Sequence, residues 1–411
     1  MPLDPVELLQ QLIAIPSVNP LGQDEAAGIC GESRLTDFLQ GVCERLGWRW
    51  LRQRVHPGRE NLFALVPGSR PAGDGGELQL WDVHQDTVAV HGMTVDPFGG
   101  ELRDGRVYGR GACDDKGPMA AMIAALSRVE NLSSNRPTIV LAFPVNEECG
   151  FTGATALCDL WHPERRGTHE TTGTITAAEL FPRAPDLAIV AEPTELNVLV
   201  AHQGMVRWRC HVTGRAAHSS RPDEGVNAIY AMGRIAATIE KFQRQLAAGA
   251  EHPLCGRPAV CVTTIAGGVG INTVPDRATI TIDRRIGPGE SPLDAYAQLV
   301  TYVAEHTELG DAQLQHDPPF MKSHGLSDAH NRAVAERLVQ LVSNNGRPSK
   351  TCGAPYGTDG AAIGAVGVPT VVFGPGSIRH AHMADEFIEV AELQLGADLF
   401  ERIARGGLSG S

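Results

Sequence analysis

The sequence predicts a large α/β domain, with a mainly parallel sheet covered by helices, and a smaller α+β domain inserted within it. Three observations predict this architecture. Four short apolar runs in the outer parts of the chain each lead into a polar residue, helical patterns separate these runs, and the middle of the chain alternates with the period of a half-buried strand. A chain of 411 residues is also too long for one ordinary core.

The four apolar runs have the character of buried strands, because they are short, rich in β-forming residues and bounded by turn residues. They are Leu78–Trp81, Thr138–Phe143, Leu187–Val190 and Val368–Phe373. Helical patterns such as those at 116–129 and 328–342 lie between them, which is the alternation expected of a sheet with helices on both faces. In such sheets ligands bind beyond the carboxyl ends of the strands.

The inserted domain is predicted over residues 199–316, which leaves 1–198 and 317–411 to the large domain. Alternation from Val206 to Thr213 indicates its first strand. Helical patterns follow at 226–246 and 292–306, and further strands are expected at 259–265, 278–286 and 312–316. The order β-α-β-β-α-β is that of a ferredoxin-like domain.

Composition excludes several classes of protein. The net charge of -13 argues against a nucleic-acid partner, which clustered Lys and Arg would serve. The N-terminus has no signal-peptide pattern, and the least polar stretch, 360–376, is too short and too interrupted by Gly and Pro to span a membrane. Nine irregularly spaced cysteines without a CxxC pair fit a reducing compartment. We therefore expect a cytoplasmic protein without a nucleic-acid or membrane partner.

Polar residues that follow the predicted strands form a set typical of a metal site. The set consists of His84, Asp86, Asp114, Glu147, Glu148, Glu192 and His382. Two imidazoles with several carboxylates suit Zn²⁺, and less specifically Mn²⁺ or Co²⁺. A single His or a Glu-Glu pair is more often structural or on the surface, but their joint occurrence at strand ends favours ligands. One tetrahedral zinc needs fewer carboxylates, whereas two ions that share a bridging carboxylate would use them all.

The motifs around these residues resemble a known family. They are His84–Val88, Gly109–Gly117, Asn146–Glu148, Glu192–Thr194 and Ala381–Glu386. Together they resemble the acetylornithine deacetylase/succinyl-diaminopimelate desuccinylase family of dizinc hydrolases, and the resemblance follows nearly the whole chain in order. It implies a phosphorylase/hydrolase-like α/β catalytic domain with an inserted lid and dimerisation domain.

The resemblance assigns the five metal ligands. Asp114 would bridge two divalent ions, His84 and Glu192 would complete one site, and Glu148 and His382 the other. Asp115 is the alternative bridge, but the family's spacing, with one residue before Lys-Gly, selects Asp114.

The resemblance also assigns two residues beside the ligands. Asp86 would orient His84 by accepting its second ring N–H. Glu147 would be the general base, which takes a proton from water and passes it to the leaving amine.

In the inserted domain the resemblance makes His218 the residue that polarises the scissile carbonyl, supplied across a homodimer. Asn272 and Arg285 resemble positions that bind substrate, and Arg suits a carboxylate because its planar fork pairs with both oxygens. The neighbouring Arg284 is interpreted as a charge on the sheet surface. Thr358, in the segment 356–360, is a further candidate for substrate binding.

Several features depart from the family pattern or leave alternatives open. Asn146 stands where many relatives have Asp; it is not a ligand, so retuning of the site is expected and not its loss. Gln203 stands where Lys is frequent, and this change is expected to alter the hinge of the lid. Cys113 and Cys149 adjoin presumed ligands and are either thiolate ligands or small buried residues, the second being favoured.

The expected activity is removal of an acyl group from a small N-acyl amino acid, most like an acetylornithine deacetylase. A succinyl-diaminopimelate desuccinylase, dipeptidase or carboxypeptidase would use the same metals. A non-catalytic metal- or ligand-binding homologue is the alternative of another class. The chain has no GxxxxGK[ST] motif, which argues against a nucleotide-binding protein.

Overall fold

The computed structural model describes residues 2–20, 28–129 and 136–408. The chain forms two compact units: a first unit of Met1–Val200, Ser327–Cys352 and Thr358–Ser411, and a second unit of Ala201–Leu326 and Gly353–Gly357.

Strands and helices are numbered along the chain. The strands are β1 (Arg49–His56), β2 (Arg59–Val66), β3 (Leu78–Asp82), β4 (Glu101–Arg103), β5 (Arg106–Tyr108), β6 (Thr138–Phe143), β7 (Thr171–Gly173), β8 (Leu187–Val190), β9 (Val198–His202), β10 (Gly204–Thr213), β11 (Ala259–Gly267), β12 (Arg277–Ile286), β13 (Gln313–His316), β14 (Met321–Ser323), β15 (Thr351–Ala354), β16 (Thr370–Val372) and β17 (Phe387–Glu389). The α-helices are α1 (Pro5–Ile13), α2 (Ser33–Arg45), α3 (Lys116–Ser127), α4 (Glu147–Gly150), α5 (Thr152–Cys158), α6 (Ala177–Leu180), α7 (Ala228–Ala248), α8 (Pro292–His306), α9 (Arg332–Asn344), α10 (Gly360–Ala365) and α11 (Val390–Arg402).

The main sheet has nine strands in the order β15-β9-β16-β8-β3-β6-β2-β1-β7. The four strands predicted from apolar runs are adjacent at its centre, where β16, β8, β3 and β6 pair in parallel. On either side the pairing becomes antiparallel, β2 with β6 and β9 with β16. The α/β fold class is therefore confirmed, and the sheet is mixed, with its parallel part at the centre.

Helix α3 is buried on all sides and packs against α1 and α11. Every residue from Lys116 to Leu126 is buried, which is typical of a helix that is apolar all round. Its first residue, Lys116, donates from Nζ to the Ile15 carbonyl at 2.7 Å, and burial lowers the pKa of this amine to about 7. The helix thereby fixes the position of the loop that ends at Asp114.

The second unit is built on an antiparallel sheet in the order β11-β12-β10-β13, with β14 paired to β10. Elements β10 to β13 with α7 and α8 follow the order β-α-β-β-α-β. The alternating residues of β10 are buried together with Ile280 and Ile282 of β12 and with apolar side chains of both helices. This unit begins at Ala201 and includes β14, which lies beyond residue 316.

None of the helices in the described part of the chain is both long and apolar enough to span a membrane. The nine cysteines are free thiols.

Candidate metal centre

The carboxyl ends of the four parallel strands gather the predicted ligands of the first unit. His84 follows β3, Glu147 and Glu148 follow β6 at the start of α4, and Glu192 follows β8. Asp114 precedes α3, and His382 lies in the loop between β16 and β17. The site thus occupies the sheet edge where α/β proteins bind ligands.

Two groups of side chains could each hold a metal ion. The first consists of His84, Asp114 and Glu192, and the second of Asp114, Glu148 and His382; within each group the candidate ligand atoms lie within 4.8 Å of one another. Asp114 is common to both groups, as a bridging carboxylate must be.

The two oxygens of Asp114 face different histidines. Oδ1 lies 3.0 Å from His84 Nε2, and Oδ2 lies 3.3 Å from His382 Nε2. His382 Nε2 is also 3.2 Å from Glu148 Oε1. His84 and Asp114 are almost completely buried, whereas the His382 side chain is 49% exposed. The centre therefore has one buried half and one half that is open to solvent.

Asp86 contacts the site differently from the prediction. The His84 ring is oriented by the main chain, since Nδ1 lies 2.9 Å from the Asp86 carbonyl oxygen, while the Asp86 carboxylate is 3.8 Å away. That carboxylate instead accepts the backbone N–H groups of Glu147 and Glu148 at 3.0 and 3.1 Å. Asp86 thus fixes the backbone of the Glu-Glu pair.

Asn146 sets the direction in which the Glu-Glu pair leaves β6. Its φ of 65° is left-handed, a conformation that Asn tolerates better than most residues. The Asn146 amide donates to Thr152 Oγ1 at 2.8 Å and its oxygen accepts from Asn19 Nδ2 at 2.9 Å. The two glutamates then form the first turn of α4.

Glu386 ties the Asp114 loop to the His382 loop, a contact that the sequence analysis did not assign. Its carboxylate accepts the backbone N–H groups of Gly111, Cys113 and Asp114 at 3.1, 2.9 and 3.0 Å, and Arg110 pairs with it. Both Arg110 and Glu386 lie within motifs that were singled out, but residue type alone gave no sign that they meet.

The site is rich in buried negative charge. Burial raises the pKa of the Glu147 and Glu192 carboxyls well above the ordinary value, and neighbouring carboxylates add to the shift. Partial burial would lower the pKa of the His382 imidazole, but hydrogen bonds to Asp114 and Glu148 raise it to about 11. The shift at His382 shows that Asp114 and Glu148 favour a positive charge beside them.

The donor set fits divalent metal ions. Besides the two groups, both carboxylate oxygens of Asp82 and of Asp115 are buried without a hydrogen-bond partner among the described residues. Buried carboxylates of this kind need a compensating charge. Mixed imidazole and carboxylate ligands are those that zinc and similar ions accept. Neither Cys113 nor Cys149 belongs to a metal-binding group in the described part of the chain, and the Cys113 thiol donates to the Ser377 carbonyl.

The second unit holds His218 and Asn272 on adjacent exposed loops. His218 forms a β-bridge with Thr273, and the Ser219 N–H donates to the Asn272 carbonyl at 3.0 Å. The Ser220 N–H donates to His218 Nδ1 at 3.2 Å. Since Nδ1 accepts this N–H, Nε2 is the ring nitrogen that is left to donate.

The remaining candidates lie in different settings. Arg285 is partly exposed on β12 and pairs with Asp283. Its neighbour Arg284 is 2% exposed, so the interpretation as a surface charge is wrong; the alternation of β12 turns it towards the helices. Thr358 is fully buried and its hydroxyl accepts the Gly360 N–H at 3.1 Å, so its role in substrate binding stays a prediction.

Comparison with known proteins agrees with this geometry. The model of peptidase family M20/M25/M40 matches residues 80–406. Acetylornithine deacetylase of Photorhabdus laumondii is 30% identical over 94% of this chain and 92% of its own length, and that of Myxococcus xanthus is 28% identical over 87% and 88%.

Solved structures share the fold. An M20 metallo-carboxypeptidase of Sulfolobus solfataricus has a TM-score of 0.75 at 15% identity, over 98% of this chain and 99% of that one. A tripeptidase of Staphylococcus aureus has a TM-score of 0.72 at 22% identity, over 99% and 98%. The chain thus belongs to peptidase family M20/M25/M40 and is a metal-dependent hydrolase of amide bonds.

Proposed function

We propose that this enzyme removes the acetyl group from N-acetylornithine or a closely similar N-acyl amino acid, with two zinc ions as cofactors. The observation that carries the two-metal proposal is the Asp114 carboxylate, whose oxygens belong to two separate groups of ligands. The choice of substrate is supported by relatives that are acetylornithine deacetylases and align with nearly the whole chain.

The proposed metal ligands are His84 and Glu192 on one side of Asp114, and Glu148 and His382 on the other. Metal ions held by these residues would polarise the amide carbonyl and lower the pKa of water. Zinc is proposed because the donor set combines imidazole with carboxylate, and Co²⁺ or Mn²⁺ would fit the same ligands.

Glu147 is the proposed general base. Its side chain is buried beside Glu148, and Asp86 holds the backbone of both. The raised pKa of Glu147 suits a carboxylate that accepts a proton from water and returns it to the leaving amine. One glutamate of the pair can thereby serve the metal while the other moves a proton.

The enzyme is proposed to act as a homodimer in the cytoplasm. Strand β11 is an edge strand of the second unit's sheet, and exposed edges of this kind can pair with a second chain. Its surroundings are apolar: Ile265, Val269 and Ile271 are 64%, 93% and 104% exposed, and Tyr230 of α7 is 70% exposed. A dimer that covers this face would let His218 serve the partner's site.

The substrate proposal is tested by comparing N-acetylornithine, N-succinyldiaminopimelate and a dipeptide with zinc-reconstituted protein. N-acetylornithine is expected to give the highest kcat/KM, since the full-length relatives act on it. Glu147→Ala protein, purified in parallel, controls for contaminating hydrolases. A dipeptide or the succinylated substrate with the higher kcat/KM would reject deacetylation while keeping the amide hydrolase.

The role of Glu147 is tested by Glu147→Gln, which keeps the shape and removes the base. We expect kcat to fall by about two to four orders of magnitude, with metal content unchanged, because the proposed ligands are other side chains. The exposed Glu164→Gln is a matched control and should retain activity. Loss of metal from Glu147→Gln would show that Glu147 is a ligand and not the base.

The role of His218 is tested by subunit complementation. His218→Ala should lose about 10²–10³ in kcat, the usual contribution of an oxyanion donor. When it is mixed with Glu147→Ala under exchange of subunits, each heterodimer has one intact site and should recover half the activity of a wild-type dimer. Mixing Glu147→Ala with Glu192→Ala is the control, since neither site is then intact. No recovery despite proven exchange would mean that His218 does not act on the partner's site.

A further inference from the structure

Arg284 is a buried cation in the second unit, whereas the proposed metal ligands belong to the first. It lies on β12, on the face covered by helices, and is 2% exposed. An arginine in this position replaces the apolar side chain that the alternation of β12 provides at Ile280 and Ile282. Long charged side chains are seldom buried to this extent unless they are paired.

The guanidinium of Arg284 is only partly satisfied by the protein. Nη2 donates to Gln298 Oε1 at 2.9 Å, and the group lies over the Phe242 ring at 5.1 Å from its centroid. Nε and Nη1 are buried and have no hydrogen-bond partner among the described residues. A buried donor without an acceptor is unfavourable, and a cationic donor is best satisfied by a carboxylate.

Arg284 is one of the residues that line a cavity of about 450 Å³, a size that suits a small molecule. Arg284 and Gln298 line it together with Glu290, Ser291 and Asp294. Ser291 is the N-cap of α8 and accepts the Asp294 N–H at 3.3 Å. The positive end of the α8 dipole is therefore at the cavity and also favours an anion.

The charges of the lining select among possible ligands. The Glu290 and Asp294 carboxylates would repel a dianion such as phosphate, and Arg284 would repel a simple cation. A molecule with one carboxylate and one ammonium group matches both signs. The carboxylate would meet Arg284, and the ammonium group would face Glu290 and Asp294.

We propose that this cavity of the second unit binds a free α-amino acid. The site is distinct from the proposed metal centre, because its lining residues belong to the second unit alone. The inference does not rest on the proposed substrate. An amino acid could also bind at the metal centre as a product, so the experiment must locate the ligand.

Location is tested by soaking L-selenomethionine into crystals of the zinc-loaded protein and mapping selenium by its anomalous scattering. A selenium peak is expected in the cavity beside Arg284, and it should be absent from Arg284→Met crystals soaked in the same way. Met keeps an unbranched stem against Phe242 but removes the charge. No peak in the wild-type cavity at a concentration that saturates binding in solution, or a peak undiminished by Arg284→Met, would overturn the proposal.

Specificity is tested in solution with L-norvaline, pentanoate and butylamine, which carry both groups, the carboxylate alone and the amine alone. Calorimetry should show that norvaline binds wild-type protein more tightly than either fragment. Arg284→Met should weaken norvaline binding in the cavity by at least about tenfold, whereas the exposed Arg277→Met on the same strand should not change it. Equal binding by Arg284→Met and wild type would contradict the proposal.

A second variant keeps the proposal testable if Arg284→Met does not fold. Glu290→Gln with Asp294→Asn leaves the cation in place and removes the two carboxylates. We expect this double variant to bind pentanoate more tightly relative to norvaline than the wild type does. An unchanged preference would show that the carboxylates do not recognise the ammonium group.

Discussion

The candidate metal centre depends on one interaction, the contact of the Asp114 carboxylate with two histidines. Each oxygen faces a different imidazole, at 3.0 and 3.3 Å, and each belongs to a separate group of candidate ligands. Burial opposes ionisation of Asp114, but hydrogen bonds from His382 and His84 lower its pKa. As proposed metal ligands both imidazoles must be neutral, so metal binding is expected to release protons and to weaken as the pH falls.

The surrounding protein holds this carboxylate in place through the backbone of the loop that carries it. Glu386 accepts three N–H groups of the loop that carries Asp114 and lies four residues beyond His382, so one side chain couples both sides of the centre. Asp86 does the same for Glu147 and Glu148. Side chains that touch no substrate therefore determine where the reacting groups point, which is the usual way in which metal sites are made rigid.

The centre of the fold was predicted well from the sequence, because buried parallel strands have continuous apolar sequences. The hairpin of β1 and β2 was not predicted, because the strand pattern of β1 is weakened by three arginines, Arg49, Arg52 and Arg54. The boundaries of α8 were predicted correctly, and in the structure Ser291 is the N-cap of this helix and Pro292 its first residue.

The residue types of the candidate site were predicted from the sequence, but the contacts between them were not. The ligand candidates lie at strand ends, where topology brings them together, so their grouping followed from the fold. The contacts of Asp86 and Glu386 did not, because a carboxylate accepts from a ring N–H or a backbone N–H equally well and only three-dimensional position decides between them. The burial of Arg284 was missed for a related reason: alternation fixes the face of the strand, but the character of that face is set by α7 and α8.

The most direct test of the account is the anomalous diffraction of zinc-loaded crystals, recorded above and below the zinc absorption edge. Two zinc peaks are expected roughly 3.5–4 Å apart, one beside each oxygen of Asp114, with His84 and Glu192 on the first ion and Glu148 and His382 on the second. A single peak at saturating zinc, or a pair in which only one ion touches Asp114, would contradict the bridged two-metal centre.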